Sequence, residues 1–282
     1  MSDARLTVLM PVREYHAAYL DAAVGSILGQ TSSRWRLIVI DDGAGAALPE
    51  VLGDALGDDR VLVAPSDAGG LASALNTGMR HAGTEFISVL FADDAWAPNA
   101  VETFTSTIER FEDIDVFYGS RMFIDEQART ISGVYRARGS FTLADFQVGS
   151  PVKHPFCWRR DLALELGGFD ESLDPIGMDD YDFPWSLAEA GARFMAVPDC
   201  LYLVRDHRDV FRLTTHIPRS VQLRTLRRIM GKHGMERARI ESRLNLAKQG
   251  HLRQCLYRSP LDRWLKRLLR HDPRRGWRES YQ

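Results

Sequence analysis

The sequence predicts an α/β protein built on a mostly parallel sheet with helices on both faces. Short apolar runs alternate with helix-period segments along the first half of the chain, and turn or cap residues separate them. Aspartate pairs directly follow two of the apolar runs, Asp41-Asp42 and Asp93-Asp94, where a parallel sheet places its ligand crevice.

The elements follow in order. Leu6-Thr-Val-Leu-Met-Pro11 reads as a buried strand, and the stretch from Ala17 to Gly29 sets Leu20, Val24, Ile27 and Leu28 at helical spacing before a glycine stop. A second strand is expected from Trp35 to Ile40, a third from Arg60 to Ala64, a helix from Gly70 to Ala82, and a fourth strand from Glu85 to Phe91. Pro98 suits the first turn of a helix reaching Phe111. Beyond Gly119 the alternation breaks. Short strands are expected at Val116 to Tyr118, Ile131 to Tyr135, Arg193 to Val197 and Leu201 to Val204, with helices from Arg160 to Leu166 and from Met178 to Ala190. From Pro218 the pattern is helical and basic to about Gly250, and again from Leu261 to Arg270.

Composition narrows the function. The 282 residues are 45% hydrophobic and 26% charged, enough for one large domain or two small ones. The formal net charge of −2 argues against a dedicated nucleic-acid binder. It conceals a division: residues 219–282 hold 18 Lys+Arg against 5 Asp+Glu, a local +13, and residues 1–218 hold 18 against 33, a local −15. No apolar run approaches the ~18–20 residues of a spanning helix, and the N-terminus does not read as a signal peptide. Cys157, Cys200 and Cys255 lie far apart without a Cys-x-x-Cys pair, which fits a reducing, cytoplasmic location.

Four clusters have chemical potential: Asp41-Asp42, Asp93-Asp94, Asp179-Asp180-Tyr181-Asp182 and Arg205-Asp206-His207. Any one alone suits a turn or helix cap. The two pairs behind parallel strands converge on one crevice, however, and carboxylates gathered there repel unless a cation sits among them. Mg²⁺ or Mn²⁺ is the expected cofactor, since both take oxygen ligands and leave positions for a substrate phosphate.

At this point the residues resemble a family. Thr7-Val-Leu-Met-Pro-Val12, Ser26-Ile-Leu-Gly-Gln-Thr31, Trp35-Arg-Leu-Ile-Val-Ile-Asp-Asp-Gly43, Gly70-Leu-Ala-Ser-Ala-Leu-Asn-Thr-Gly78 and Phe86-Ile-Ser-Val-Leu-Phe-Ala-Asp-Asp94 are similar to the nucleotide-sugar half of the family 2 inverting glycosyltransferases. Gly167-Gly-Phe-Asp-Glu-Ser-Leu173 and Asp179-Asp-Tyr-Asp-Phe183 resemble that family's acceptor half. The resemblance runs from about residue 6 to 215 with every motif in the family's order.

It implies a GT-A fold: a nucleotide-sugar-binding half over 1–115, an acceptor-binding and catalytic-base half over 116–217, and a basic helical extension over 218–282. It further implies transfer of a sugar from a nucleoside-diphosphate sugar to a carbohydrate or lipid-linked acceptor, with inversion. Pro11, Val12, Arg13, Asp41 and Asp42 would line the nucleoside pocket, Asp93 would contact ribose or a metal-bound water, and Asp94 would ligate the metal. Asp180 would be the catalytic base, His207 a second metal or phosphate contact, and Asp179, His154, Trp185 and Arg205 acceptor or diphosphate contacts. Three positions depart from the pattern: Phe91 replaces the first acid of Asp-x-Asp-Asp, Asp179 replaces a glutamate, and Arg13 lies where an aromatic residue is common. The loss at Phe91 leaves a nucleotide-sugar-binding pseudoenzyme as the alternative. A dinucleotide oxidoreductase fails because Leu48 stands where the third glycine of Gly43-Ala-Gly45 would belong. A sugar nucleotidyltransferase fails because Met10-Pro-Val-Arg-Glu-Tyr15 is not a glycine-rich basic loop.

The resemblance leaves the basic tail uncovered. Leu261, Trp264, Leu265 and Leu268 form an apolar stripe among basic residues, a pattern suited to an anionic membrane surface at the inner face of the membrane. Trp96 and Trp158 fit packing or stacking equally, and His16 and His81 read as surface positions.

Overall fold

The computed structural model describes residues 4–174, 179–207 and 218–257. Its first half is the alternation the sequence predicts: β1 (Leu6–Val12), α1 (Ala17–Leu28), β2 (Trp35–Asp41), α2 (Leu48–Leu52), β3 (Val61–Pro65), α3 (Leu71–His81) and β4 (Phe86–Val89). Then come β5 (Ala95–Trp96), α4 (Ala100–Arg110), β6 (Val116–Ile124), α5 (Leu143–Phe146), β7 (Phe156–Arg159), α6 (Arg160–Glu165), α7 (Asp179–Glu189) and β8 (Phe194–Arg205). All eight strands join one sheet in the order β3-β2-β1-β4-β7-β6-β8-β5.

The pairings β1/β2, β1/β4, β2/β3 and β6/β8 are parallel, whereas β7 runs antiparallel between β4 and β6, and β5 is antiparallel to β8. Strand order reverses at β1, so the ends of β1, β2 and β4 open onto one crevice. Leu6, Val8, Met10 and Val12 face one core with Leu20, Val24 and Ile27 of α1 and Phe104 of α4. On the other face α3 packs against β1 and β2. Gly78 permits that approach, since a Cβ there would stand 2.8 Å from Leu9 Cδ2 and 3.0 Å from Ile40 Cδ1.

The second half corrects several expectations. Val116–Ile124 is one long strand rather than a short one ending before Gly119. Gly119 is no stop: a Cβ there would lie 3.1 Å from Leu201 Cδ1 and 3.2 Å from Pro155 Cγ, so glycine allows close packing in mid-strand. The two short strands expected from Arg193 to Val204 are the single β8, whose pairing with β6 shifts register around Ser120. Ser120 Oγ fills that irregularity, donating to the Pro198 carbonyl at 2.9 Å and accepting from Ala137 N–H at 2.9 Å. Ile131 to Tyr135 is not a strand; it contributes one isolated bridge, Tyr135 with Arg121, and Thr130 just before it bridges Ile124. Pro98 precedes the Asn99 N-cap of α4 instead of occupying its first turn. The sequence does not predict β5, β7, α2 or α5.

The chain divides into two compact units, Met1–Thr225 and Leu226–Gln282. Helix α8 (Arg219–Lys232) ends in a left-handed turn at Gly234 (φ +68°), with Met235 N–H donating to the Met230 carbonyl and Gly234 N–H to that of Gly231. Helix α9 follows (Arg237–Tyr257). Ile229, Met230, Met235, Ile240 and Leu244 are buried, and Arg227 pairs with Glu241 at 2.9 Å. The stretch from Leu261 to Arg270 lies outside the described residues. Among those described, no helix is long and apolar enough to cross a membrane.

Candidate active site

The crevice begins where β1 and β2 end. The Asp42 carboxylate is buried and accepts the Gly70 N–H on both oxygens at 3.1 Å, while Arg13 Nη1 lies 3.4 Å from its Oδ2. Asp41 serves the turn, its Oδ1 accepting from Gly43 N–H at 3.0 Å and Ala44 N–H at 2.8 Å. Val12 turns its side chain into the core, and its carbonyl accepts from Asp42 N–H at 2.8 Å. Pro11 is half-buried beside it.

Asp174 enters here without having been foreseen. Its two oxygens accept from Ala72 N–H at 2.8 Å and Ser73 N–H at 3.1 Å, capping the first turn of α3 from across the fold. Burial raises its pKa, aided by the nearby Asp42 and Glu171 charges and opposed by those two amides. Gly70 (φ +132°) leaves it room, because a Cβ there would fall 2.3 Å from Asp174 Cγ. One helical turn along, Asn76 clasps the glycine-rich motif, accepting from Phe169 N–H and donating to the Phe169 carbonyl.

The turn after β4 carries the second acidic pair. Asp94 is buried, and its Oδ1 accepts the Arg205 N–H at 2.8 Å. The Tyr202 hydroxyl accepts the Phe91 N–H at 3.3 Å, and burial, aided by the nearby Asp94 charge, raises the phenol pKa well above its usual value, so it stays neutral. Asp93 Oδ2 lies 3.0 Å from His207 Nε2. The His207 ring is buried 5.0 Å from the Tyr19 ring, and its Nδ1 has no hydrogen-bond partner. Arg205 is fully engaged: Nε donates to the Asp93 carbonyl at 2.9 Å, Nη1 to the carbonyls of Asp125 and Glu126, and the guanidinium lies over Tyr19. Its contacts are those of a framework residue holding the acidic turn against β8.

The first turn of α7 supplies the third cluster. Asp180 pairs with Lys153 Nζ at 2.7 Å, and Asp179 with His154 Nε2 at 2.7 Å. Burial works to raise the Asp180 pKa, but the charges of Lys153, His154 and Arg121 prevail and hold it below the ordinary carboxylate range. His154 links this cluster to the acidic turn, its ring meeting Phe91 edge-on at 5.1 Å and lying 6.1 Å from the Tyr202 ring. Phe91, standing where the family has an acid, therefore packs on the histidine that partners Asp179. Trp185 is buried and stacked on Phe146 at 5.7 Å, a core residue rather than a surface for sugar. Trp96 and Trp158 are likewise buried, and His16 and His81 are exposed.

Among the described residues, no group of three or more His, Cys, Asp or Glu side chains is arranged to hold a metal alone. The two carboxylates of Asp93 and Asp94, with the His207 imidazole beside them, are a partial donor set. That chemistry fits Mg²⁺ or Mn²⁺, which are commonly held by one or two carboxylates and completed by substrate phosphates and water. Sequence reasoning missed Lys153, Arg121, Tyr202, Asp174 and Asn76. The signals were faint: a basic residue inside the apolar run Val116 to Ile124, and a Lys-His pair before Pro155.

A mostly parallel sheet with carboxylates at its switch point defines an α/β fold with a crevice at its strand ends, and comparison with known proteins gives it a family. Residues 7–160, more than half of the chain, match Glycosyl transferase family 2. The chain belongs to that family. It is 30% identical over 184 residues to the UDP-Glc:alpha-D-GlcNAc-diphosphoundecaprenol beta-1,3-glucosyltransferase WfgD of Escherichia coli, covering 59% of this chain and 70% of that protein. It is 24% identical over 205 residues to the O-antigen biosynthesis protein RfbC of Myxococcus xanthus, covering 71% of this chain but only 16% of the relative. Crystalline S. aureus TarS 1-349 in complex with UDP-GlcNAc superposes with a TM-score of 0.66 at 16% identity, covering 85% of this chain and 70% of that one, so the fold is GT-A-like.

Proposed function

We propose that this protein transfers a sugar from a nucleoside-diphosphate sugar to an acceptor hydroxyl with inversion, metal-assisted, in the synthesis of a cell-surface polysaccharide or glycoconjugate. The observation that carries the reading is the placement of Asp180, held ionised by Lys153 and joined through His154 to the turn bearing Asp93 and Asp94. UDP-GlcNAc in TarS supports a nucleotide-sugar donor, and the diphosphoundecaprenol substrate in the name of WfgD supports a lipid-linked acceptor.

In this reading residues 1–115 bind the donor, with Asp42 and Arg13 at the nucleoside. Residues 116–217 bind the acceptor and supply the base. Inversion requires the acceptor hydroxyl to approach the anomeric carbon opposite the leaving group. Asp180, within ~3 Å of that hydroxyl, takes its proton as the new C–O bond forms. Lys153 keeps the carboxylate ionised beforehand, and when the proton arrives the pair loses its charge attraction. His154 fixes Asp179, and so the first turn of α7, against the acidic turn. Asp93 and Asp94 would hold the divalent ion, with His207 beside them, and a bound ion supplies neutralisation of the charge growing on the diphosphate. The basic extension, residues 219–282, faces an anionic membrane surface on the cytoplasmic side.

Turnover of a panel of sugar nucleotides, with and without Mn²⁺, tests the reading directly. Sugar release or transfer that needs Mn²⁺ and vanishes in Asp180→Asn is expected. Binding without any turnover by the wild type would instead mark a pseudoenzyme.

A further inference from the structure

The cations around the crevice are already committed, with one exception among the described residues. Arg205 spends its guanidinium on three backbone carbonyls and the Tyr19 ring. Lys153 neutralises Asp180, His154 meets Asp179, and Arg13 reaches Asp42. Arg121 differs. Its main chain is pinned by two hydrogen bonds with Tyr135, at 3.1 and 2.7 Å, and it pairs in register with Tyr202 of β8. It follows directly on the irregularity at Ser120, the kind of feature that re-aims a side chain at a site. Yet its half-buried guanidinium makes no hydrogen bond or ion pair with any described residue. Tyr202, its register partner, takes the Phe91 N–H on its hydroxyl at 3.3 Å, so Arg121 stands beside the strand residue that reaches the acidic turn; the charges of Asp180 and Asp94 act on it, and burial lowers its pKa against them.

A half-buried guanidinium without a protein partner keeps its donors for solvent or for a ligand. It carries five N–H donors in a planar fork and cannot shed its charge. The fork matches a phosphate through two parallel hydrogen bonds. The charges of Asp180 and Asp94 attract it without an ion pair to either, which leaves its donors for an anion brought by substrate. We propose that Arg121 receives a phosphate group of a substrate between the acidic turn and Asp180. This rests on the nucleotide-sugar reading above. Two substrates could bring the phosphate, the donor's diphosphate or a phosphate on a lipid-linked acceptor.

The test is calorimetric titration of the full chain, as wild type, Arg121→Met and Arg121→Lys, in Mg²⁺. UDP, GDP and dTDP probe the donor phosphate, with the parent nucleosides as references. Farnesyl phosphate, titrated into nucleotide-loaded protein against farnesol, probes the acceptor phosphate. Arg121→Met is expected to weaken the phosphate-bearing ligand roughly 10-fold or more without moving its phosphate-free reference, and Arg121→Lys to recover part of the loss. A loss confined to the nucleoside diphosphate assigns the donor; one confined to farnesyl phosphate assigns the acceptor. Unchanged affinities for both in a variant that melts like the wild type overturn the inference. A wild type that binds none of the nucleoside diphosphates overturns the donor reading beneath it.

Discussion

At the scale of single residues, the site turns on an aspartate whose proton affinity is set by its neighbours. Asp180 carries a desolvation cost that alone would raise its pKa, and Lys153 above all, with His154 and Arg121 nearby, reverses it. As the proposed base, a carboxylate kept ionised in this way would stay competent into mildly acidic solution. Removing its carboxylate should lower turnover at least ~10²-fold while nucleotide affinity, measured by calorimetry, stays put; near-normal turnover in Asp180→Asn would remove Asp180 from that role. Lys153→Met tests the neighbour. The sign is fixed: loss of the ammonium lets the Asp180 pKa rise, so the base is protonated, and activity lost, at a higher pH than in the wild type. The acidic limb of kcat/KM against pH should therefore move upward. A limb that stays in place would mean Lys153 does not tune the base. Asp180 also shows what a sequence can and cannot disclose. Its Asp-Asp-Tyr-Asp motif was legible, whereas Lys153, 27 positions away, meets it only after folding.

At the scale of elements, legibility follows from how each run is buried. The strands β1, β2 and β4 are covered on both faces and read as continuous apolar runs, and the helices between them hold a clear period. The second half misleads because its punctuation marks have other duties. Gly119 serves close packing inside β6, and Pro198 sits in the irregular middle of β8 where its carbonyl serves Ser120. Gly167 and Gly168 show the same distinction in one dipeptide. Both have positive φ, +82° and +74°, but a Cβ on Gly167 meets nothing within 4 Å, whereas one on Gly168 would stand 2.3 Å from Asn76 Oδ1 and 2.9 Å from Met79 Cε. Gly167→Ala should cost ~1–2 kcal/mol from its left-handed backbone alone. Gly168→Ala should cost a further ~1–3 kcal/mol, since Asn76 is held by the Phe169 main chain and cannot retreat. Urea denaturation of the two variants measures the difference; equal losses would show that the Asn76 clasp yields.

At the scale of the whole molecule, the near-zero net charge is the sum of two unlike parts, −15 over residues 1–218 and +13 over residues 219–282. A carboxylate-lined crevice explains only a few of the negative charges, but it gives the acidic body a use for cations. The positive part has no such partner in the family motifs, and its first helix, α8, has no acidic residue in its first turn. Basic residues close to an anionic bilayer contribute ~1 kcal/mol each, and the attraction decays within a Debye length, about 10 Å at 0.1 M salt and about 3 Å at 1 M. If the extension meets such a surface, the full chain should pellet with phosphatidylserine vesicles at low salt and be released at 1 M, and should ignore neutral phosphatidylcholine vesicles. Deleting residues 226–282, the second compact unit, should abolish pelleting while nucleotide binding by the remainder verifies its fold. Equal pelleting of the full and shortened chains would move the membrane contact onto the acidic body. In that event the charge division would have to serve something other than docking.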